Sequence, residues 1–351
     1  MTSEIMIIPH SRPLIDQDDM KAVTEVLASG KIAQGEKVKE FENVIARFVG
    51  RNYGIAVSSG TSALHLSLLA LGVVVGDEVV MPSYVCSSPY MATRYAGAAP
   101  RIADVEPEGF NVSAASVKKQ LSSKTKATIV PHMFGTPADL DELLDLGVPM
   151  IEDCAQALGA EYEGRRVGSF GELSVLSFYA TKMITTGEGG MVLTDDAKLY
   201  NRIVNIRDYD KKPLTPVKYN YKMTDFQAAL GLGQLKKLPR FIERRRQIAS
   251  IYNERFSKFN VLTPLAHSNK RTVCYRYVLR VEELEQTRKR AQSKGIMCEK
   301  PVSRPLNKEL SIFKCPNSDK AYDQALSVPL YPCLSEGEIE YLLETLDTIL
   351  E

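Results

Sequence analysis

The sequence predicts an α/β protein. A large domain over residues 12–238 is built on a mostly parallel central sheet, and a smaller α+β domain covers 239–351, with residues 1–11 packing with the latter. Three observations carry this expectation. Short apolar runs alternate with helical segments through the first two thirds of the chain, the pattern of βαβ units. After Pro264 the pattern changes: Val273, Tyr275, Tyr277, Leu279 and Val281 alternate with other residues, as in a strand. A length of 351 residues also exceeds what one core of ordinary size organises.

The elements follow in order. The Ile5-Met6-Ile7-Ile8 run has no basic flank and is too short for a secretory signal. Residues 55–58 form the first strand, and 62–71, apolar on most sides, a buried helix. Residues 78–81 read as a strand that Pro82 ends. Residues 88–95 read as a helix closed by Gly97. Buried strands are expected at 101–105, 127–130, 149–151 and 173–178, with a helix at 139–146 before Gly147. Residues 191–193 form another strand, ended by Thr194-Asp195-Asp196. Thr224-x-x-Gln227 is a capping box opening a helix over 225–237. Pro239 is expected to interrupt it, with a second helix over about 240–259. Residues 283–294 form a helix ended by Gly295. Ser335-x-x-Glu338 is a second capping box and opens the last helix.

Composition narrows the function classes. The chain is 44% hydrophobic and 25% charged, as globular proteins are. Its 44 basic and 43 acidic residues leave a net charge of +1, which excludes a global field for nucleic acid or a membrane surface. No apolar run reaches the length of a membrane span. Arg244-Arg245-Arg246 reads as a solvated helix face. The six cysteines, Cys86, Cys154, Cys274, Cys298, Cys315 and Cys333, form no C-x-x-C pair, and the four histidines do not cluster near them. Neither a metal site nor a disulfide framework is expected; reduced thiols and a cytoplasmic location are.

The chemistry concentrates in three places. Lys182 lies in Ser177-Phe178-Tyr179-Ala180-Thr181-Lys182-Met183-Ile184, between a strand and the Gly187-Glu188-Gly189-Gly190 turn. A lysine forms an imine with an aldehyde when its amine is neutral, and an apolar setting favours that state. Asp153, in Glu152-Asp153-Cys154-Ala155-Gln156, stands at a strand end, where a carboxylate holds a pyridine nitrogen protonated; a helix N-cap is the plainer reading. Gln156 lies on the same turn and is placed to donate to a ring hydroxyl. Gly60-Thr61-Ser62 sits between strand and helix, where free N–H groups and hydroxyls make an anion pocket. Ser177 supplies a further hydroxyl. A lysine, a strand-end aspartate and an anion-binding helix start are the contacts that pyridoxal 5'-phosphate requires. The glycine-rich turn is no Walker loop and reads as backbone clearance around the cofactor. No G-x-S-x-G occurs, and Cys154 has no evident histidine base. His132, after a strand, reads equally as facing the site or as structural.

Together these segments resemble the sugar aminotransferases of the DegT/StrS type, in order and over nearly the whole chain. The matching pieces are Gly35 with Phe41-Glu42; Ser58-Ser59-Gly60-Thr61-Ser62-Ala63-Leu64-His65-Leu66; Glu152 to Ala157; Ser177 to Lys182 with Thr186 to Gly190; and Tyr219-Asn220-Tyr221-Lys222-Met223 through Gln227-Ala228-Ala229. The resemblance implies the aspartate aminotransferase fold and a homodimer with shared active sites, in which Asn220 reaches the partner's cofactor phosphate. It implies transfer of an amino group from glutamate or glutamine to a nucleotide-linked keto-sugar, with Lys182 as cofactor anchor and proton shuttle. Dehydratases of this family carry histidine at the lysine position; a same-fold synthase, or an aminotransferase acting on a cyclic ketone such as an inosose, keeps the lysine. Three positions depart from the family pattern. Cys86, with Tyr84 two residues earlier, occupies the usual ring-stacking position; Lys222 replaces an arginine; and Arg276 stands where many members carry histidine.

Overall fold

The structure, a computed structural model, describes residues 6–210, 212–259, 268–312 and 314–351. Ile5 and Pro264 lie outside the described residues. The strands are β1 (Tyr53–Val57), β2 (Glu78–Pro82), β3 (Ala99–Ala103), β4 (Thr125–Pro131), β5 (Met150–Asp153), β6 (Glu161–Tyr162), β7 (Arg165–Arg166), β8 (Leu173–Ser177), β9 (Gly190–Thr194), β10 (Lys270–Arg271), β11 (Tyr277–Arg280) and β12 (Ala325–Val328).

Seven strands form one sheet in the order β1-β9-β8-β5-β4-β2-β3. Only β9 runs against its neighbours, pairing antiparallel with both β1 and β8. The carboxyl ends of β1, β5 and β8 therefore share one edge, which is where parallel sheets bind ligands. Gly190, the first residue of β9, reaches that same edge and pairs with Val57 on one side and Ser177 on the other.

Side-chain alternation builds a core on each face. Ile55, Val57, Val79, Met81, Ile151, Val175 and Val192 pack on one face with the helix Gly60–Ala70. Ala56, Val80, Met150, Leu176, Met191 and Leu193 pack on the other, with Phe41 and Ile45 of the helix Glu36–Val49. Burial on both faces explains why these strands read as continuous apolar runs. A third core gathers Ile248, Tyr252, Phe256, Tyr277, Leu279, Leu326, Leu342 and Leu346, with Ile8 of the N-terminal segment. Ile8 bridges to Ile296.

Three expectations are corrected. Pro239 does not divide the helical region: one helix runs from Asp225 to Phe256 with the proline inside. An internal proline costs about 3 kcal/mol, and the burial of Leu238, Phe241 and Ile242 around it offsets that cost. The alternating segment at 273–281 is a strand only over Tyr277–Arg280, paired with β12. Cys274 has φ 50°, and the N–H groups of Val273 and Tyr275 donate instead to the carbonyls of Gly135 and Phe134. The Arg244-Arg245-Arg246 run is no solvated face either. Arg245 is buried, Arg246 Nε donates to Thr272 O at 2.9 Å, and Arg244 reaches Leu334 O and Glu336. Both capping boxes are present, at Thr224 and Ser335. Among the described residues no helix is long and apolar enough to cross a membrane.

Candidate active site

The anion pocket begins at the end of β1. Ser59 caps the helix Gly60–Ala70, its hydroxyl accepting from Ser62 N at 3.1 Å and its carbonyl from Ala63 N at 3.0 Å. Among the described residues the amides of Gly60 and Thr61 find no acceptor, which leaves two donors at a positive helix end. Ser62 is buried, and its hydroxyl bonds Ser58 and Ser59 at 3.1 and 2.9 Å, so it shapes the turn from inside. Thr61 Oγ1 meets Ser88 Oγ at 2.9 Å. Ser88 escaped the sequence reading because it lies in the next helix; Ser87-Ser88 after Cys86 was its only trace. Ser177 closes the pocket from β8: a Cβ on Gly60 would stand 3.0 Å from Ser177 Cβ.

The lysine loop is tied shut at its base. Phe178 N donates to Gly189 O and Thr186 N to Phe178 O, both at 2.9 Å, and Lys182 N to Tyr179 O at 2.9 Å. Two of the glycines, Gly189 and Gly190, make room for the chain itself, while Gly187 faces open space. A Cβ on Gly190 would lie 2.3 Å from Ser59 O, and one on Gly189 2.4 Å from Thr186 Oγ1. Glycine is thus what lets the lysine loop and the anion turn touch. Lys182 is half-buried, and its Nζ stands 5.3 Å from the centre of the Tyr275 ring. Tyr275 OH meets Thr181 Oγ1 at 3.3 Å. Burial works against ionisation of Tyr275, yet the Lys182 and Arg276 cations outweigh it and hold the phenol below its ordinary value. Tyr275 was read only as a strand residue; its non-strand backbone is what delivers it to Lys182.

Asp153, 8% exposed, ends β5. Its Oδ1 accepts from Ala155 N at 3.1 Å, and among the described residues no donor reaches Oδ2. Burial raises its pKa against the pull of the Ala155 N–H and Lys182. A buried carboxylate with one open oxygen is suited to a cationic N–H partner. Gln156 Oε1 accepts from Phe134 N at 2.9 Å, which fixes the amide and turns its NH2 elsewhere.

Beneath Asp153 lies a network that sequence spacing could not show. Glu152 is fully buried and accepts from Gly168 N, Phe170 N and Gly171 N at 2.7, 2.7 and 2.8 Å, and from His132 Nε2 at 3.3 Å. Ala138 N donates to His132 Nδ1 at 3.1 Å, so Nε2 carries the proton. Burial opposes ionisation of Glu152, but His132 and the backbone donors prevail and hold it below the usual carboxylate value. The fold thus brings the His132 ring to the Glu152 carboxylate and the Cys154 sulfur, with these side-chain atoms within 4.8 Å of one another, a closeness that the place of His132 in the chain does not show. Glu152 and both His132 nitrogens are already engaged, so His132 is structural here.

Four further positions complete the picture. Cys86 is exposed between β2 and the helix Ser88–Tyr95, and Tyr84 is buried against Phe110. Asn220 is exposed, while its neighbours are fixed: Tyr219 N and Tyr221 N donate to Ile206 O and Arg207 O, and Ser58 N donates to Tyr221 O. Lys222 pairs with Asp208 at 2.9 Å and with Asp210, and so is not free for an incoming anion. Arg276 Nη1 lies 2.9 Å from His10 Nε2, with His10 supplied by the N-terminal segment. Burial, helped by Arg276, pushes the His10 pKa down to about 3.

Comparison with known proteins agrees with this geometry. The chain is 34% identical over 361 residues to a GDP-perosamine synthase of Escherichia coli O157:H7, covering 97% of this chain and 98% of the relative. The crystal structure of the aminotransferase TlmJ from Streptoalloteichus hindustanus superposes with a TM-score of 0.93 at 30% identity, over 98% of this chain and 99% of that one. The Streptococcus pneumoniae protein Spr1654 in its PLP-form superposes with a TM-score of 0.92 at 25% identity, over 98% of each chain. The fold is that of aspartate aminotransferase. The model of the DegT/DnrJ/EryC1/StrS aminotransferase family matches residues 13–347, and the chain belongs to that family.

Proposed function

We propose that this chain transfers an amino group from glutamate or glutamine to a nucleotide-linked keto-sugar, with the residues of the described site in the following roles. The chain is a pyridoxal phosphate-dependent aminotransferase. When bound, the cofactor supplies an electron sink for the carbanion formed at the substrate carbon. The N–H groups of Gly60 and Thr61 and the hydroxyls of Thr61 and Ser177 hold its phosphate, with Ser62 bracing the turn. Asp153 holds the ring nitrogen protonated, Gln156 donates to the ring hydroxyl, and Cys86 lies against the ring. Lys182 anchors the cofactor through Nζ and, once released, moves the proton at the substrate carbon. The observation that carries this reading is the half-buried Lys182 sharing one sheet edge with an Asp153 whose Oδ2 is open.

A GDP-linked keto-sugar is the acceptor suggested by the relatives named GDP-perosamine synthase. Exposed Asn220 on a fixed backbone supports a homodimer with shared sites, in which Asn220 completes the partner's phosphate pocket. The six unpaired thiols suit the cytoplasm. The two-domain division at 238/239 is part of the same proposal and falls within the helix Asp225–Phe256. Lys182 itself counts against the dehydratase reading.

The purified protein should show the visible absorbance of a lysine-bound cofactor. Glutamate or glutamine should convert it to the amine form, and Lys182→Ala should abolish the starting absorbance. A wild-type protein that binds no pyridoxal phosphate would overturn the reading. Addition of nucleotide-linked keto-sugars after the first half-reaction identifies the acceptor; amination of an inosose alone would replace the sugar-nucleotide reading.

A further inference from the structure

Arg245 is 3% exposed, and among the described residues no carboxylate pairs with it. Its Nη1 donates to Tyr275 O at 3.0 Å and Leu330 O at 2.7 Å, while Nε is buried without a partner. A guanidinium stays charged in proteins, and a buried charge needs compensation. Two carbonyl dipoles supply part of it. Burial drags its pKa down to about 10, the direction expected of an under-compensated cation.

Arg245 lines a small cavity, open on one side, together with Arg12, Ser11, Thr181, Gln234 and the stem of Lys182. Two guanidiniums, Arg12 and Arg245, and no acidic side chain border this space, and Lys182 is kept for the cofactor. Arg12 is loosely held: its nearest carboxylate, Glu338, is 3.8 Å away, and its guanidinium lies 5.7 Å from the Tyr331 ring centre. The hydroxyls of Ser11 and Thr181 add neutral donors. A cavity with two guanidiniums and no carboxylate in its wall has an unbalanced positive potential, which a bound anion would cancel.

We propose that the cavity between Arg12 and Arg245, beside the lysine loop, is a binding site for a small monovalent anion, a halide or a carboxylate group. Such an anion ties the segment around Ser11 and Arg12 to the lysine loop and to the helix Asp225–Phe256. The inference goes beyond the amination reading and does not require it.

Crystals of the holoenzyme soaked in sodium bromide should show anomalous density in this cavity. In solution, replacing isethionate, a bulkier sulfonate, by chloride at constant ionic strength should raise the unfolding midpoint saturably. Arg12→Gln, at the half-exposed rim, should weaken that halide dependence about tenfold, as loss of one charge-assisted contact does; Arg245→Gln serves only where it folds. Bromide that competes with glutamate in the first half-reaction assigns the site to the donor carboxylate, and bromide that stabilises without competing assigns it to an inorganic anion. Absence of both bromide density and a midpoint shift overturns the proposal. So does density in the crystal without a saturable shift. Neither the density nor the midpoint depends on turnover, so failure of the amination reading remains distinguishable.

Discussion

Glu152→Ala removes the acceptor for four donors at once. Gly168 N, Phe170 N, Gly171 N and His132 Nε2 all end on this carboxylate, and both Glu152 and His132 are completely buried. Each buried donor left without a partner costs about 1–3 kcal/mol. Phe170 N is near enough to the surface to find water, so three donors bear the penalty. The expected loss is about 3–9 kcal/mol, a large part of a typical stability of about 5–15 kcal/mol. Glu152→Gln keeps one oxygen, which can still serve the Phe170 and Gly171 amides, and should lose about two thirds as much. Urea titration of the apo proteins at neutral pH measures both. The sign with pH follows from the depressed carboxyl: its folded pKa lies below its unfolded one. Its contribution is therefore complete above the ordinary carboxylate value and is lost as pH falls through the folded value. Glu152→Gln should lack that acid-limb loss. A Glu152→Ala loss under about 1 kcal/mol would refute the idea that this network organises the end of β5.

Further outcomes follow from the same geometry. Asp153→Asn should raise the unfolding midpoint of the apo protein at neutral pH while abolishing cofactor retention, read by thermal unfolding and by absorbance after gel filtration. Its raised carboxyl means that the folded apo state penalises the anion above the folded pKa, and the penalty vanishes below the unfolded one. Asp225→Ala should cost about 1–3 kcal/mol in chemical denaturation, because Asp225 accepts from Gly35 N at 2.7 Å and Val38 N at 3.0 Å and so caps the neighbouring helix Glu36–Val49.

The mostly parallel sheet, its seven strands and the cofactor were all legible in the residues. Apolar runs buried on both faces leave a one-dimensional record, and so does a lysine before a glycine turn. Gly60, Asp153 and Lys182 were legible because each lies at a strand end with its own local signature. Tertiary structure decided what long-range packing sets. It carried the helix through Pro239, since contacts on both sides of the proline outweigh one missing hydrogen bond. It bent 273–276 away from a strand, since Phe134 and Gly135 offer those amides better partners, and so delivered Tyr275 to Lys182. It buried Arg245 in a run of three arginines that looked solvated, because helix phase alone does not say which side faces another core. It also joined His132 to Glu152 and Cys154, since neighbouring parallel strands bring distant residues side by side without any trace in spacing.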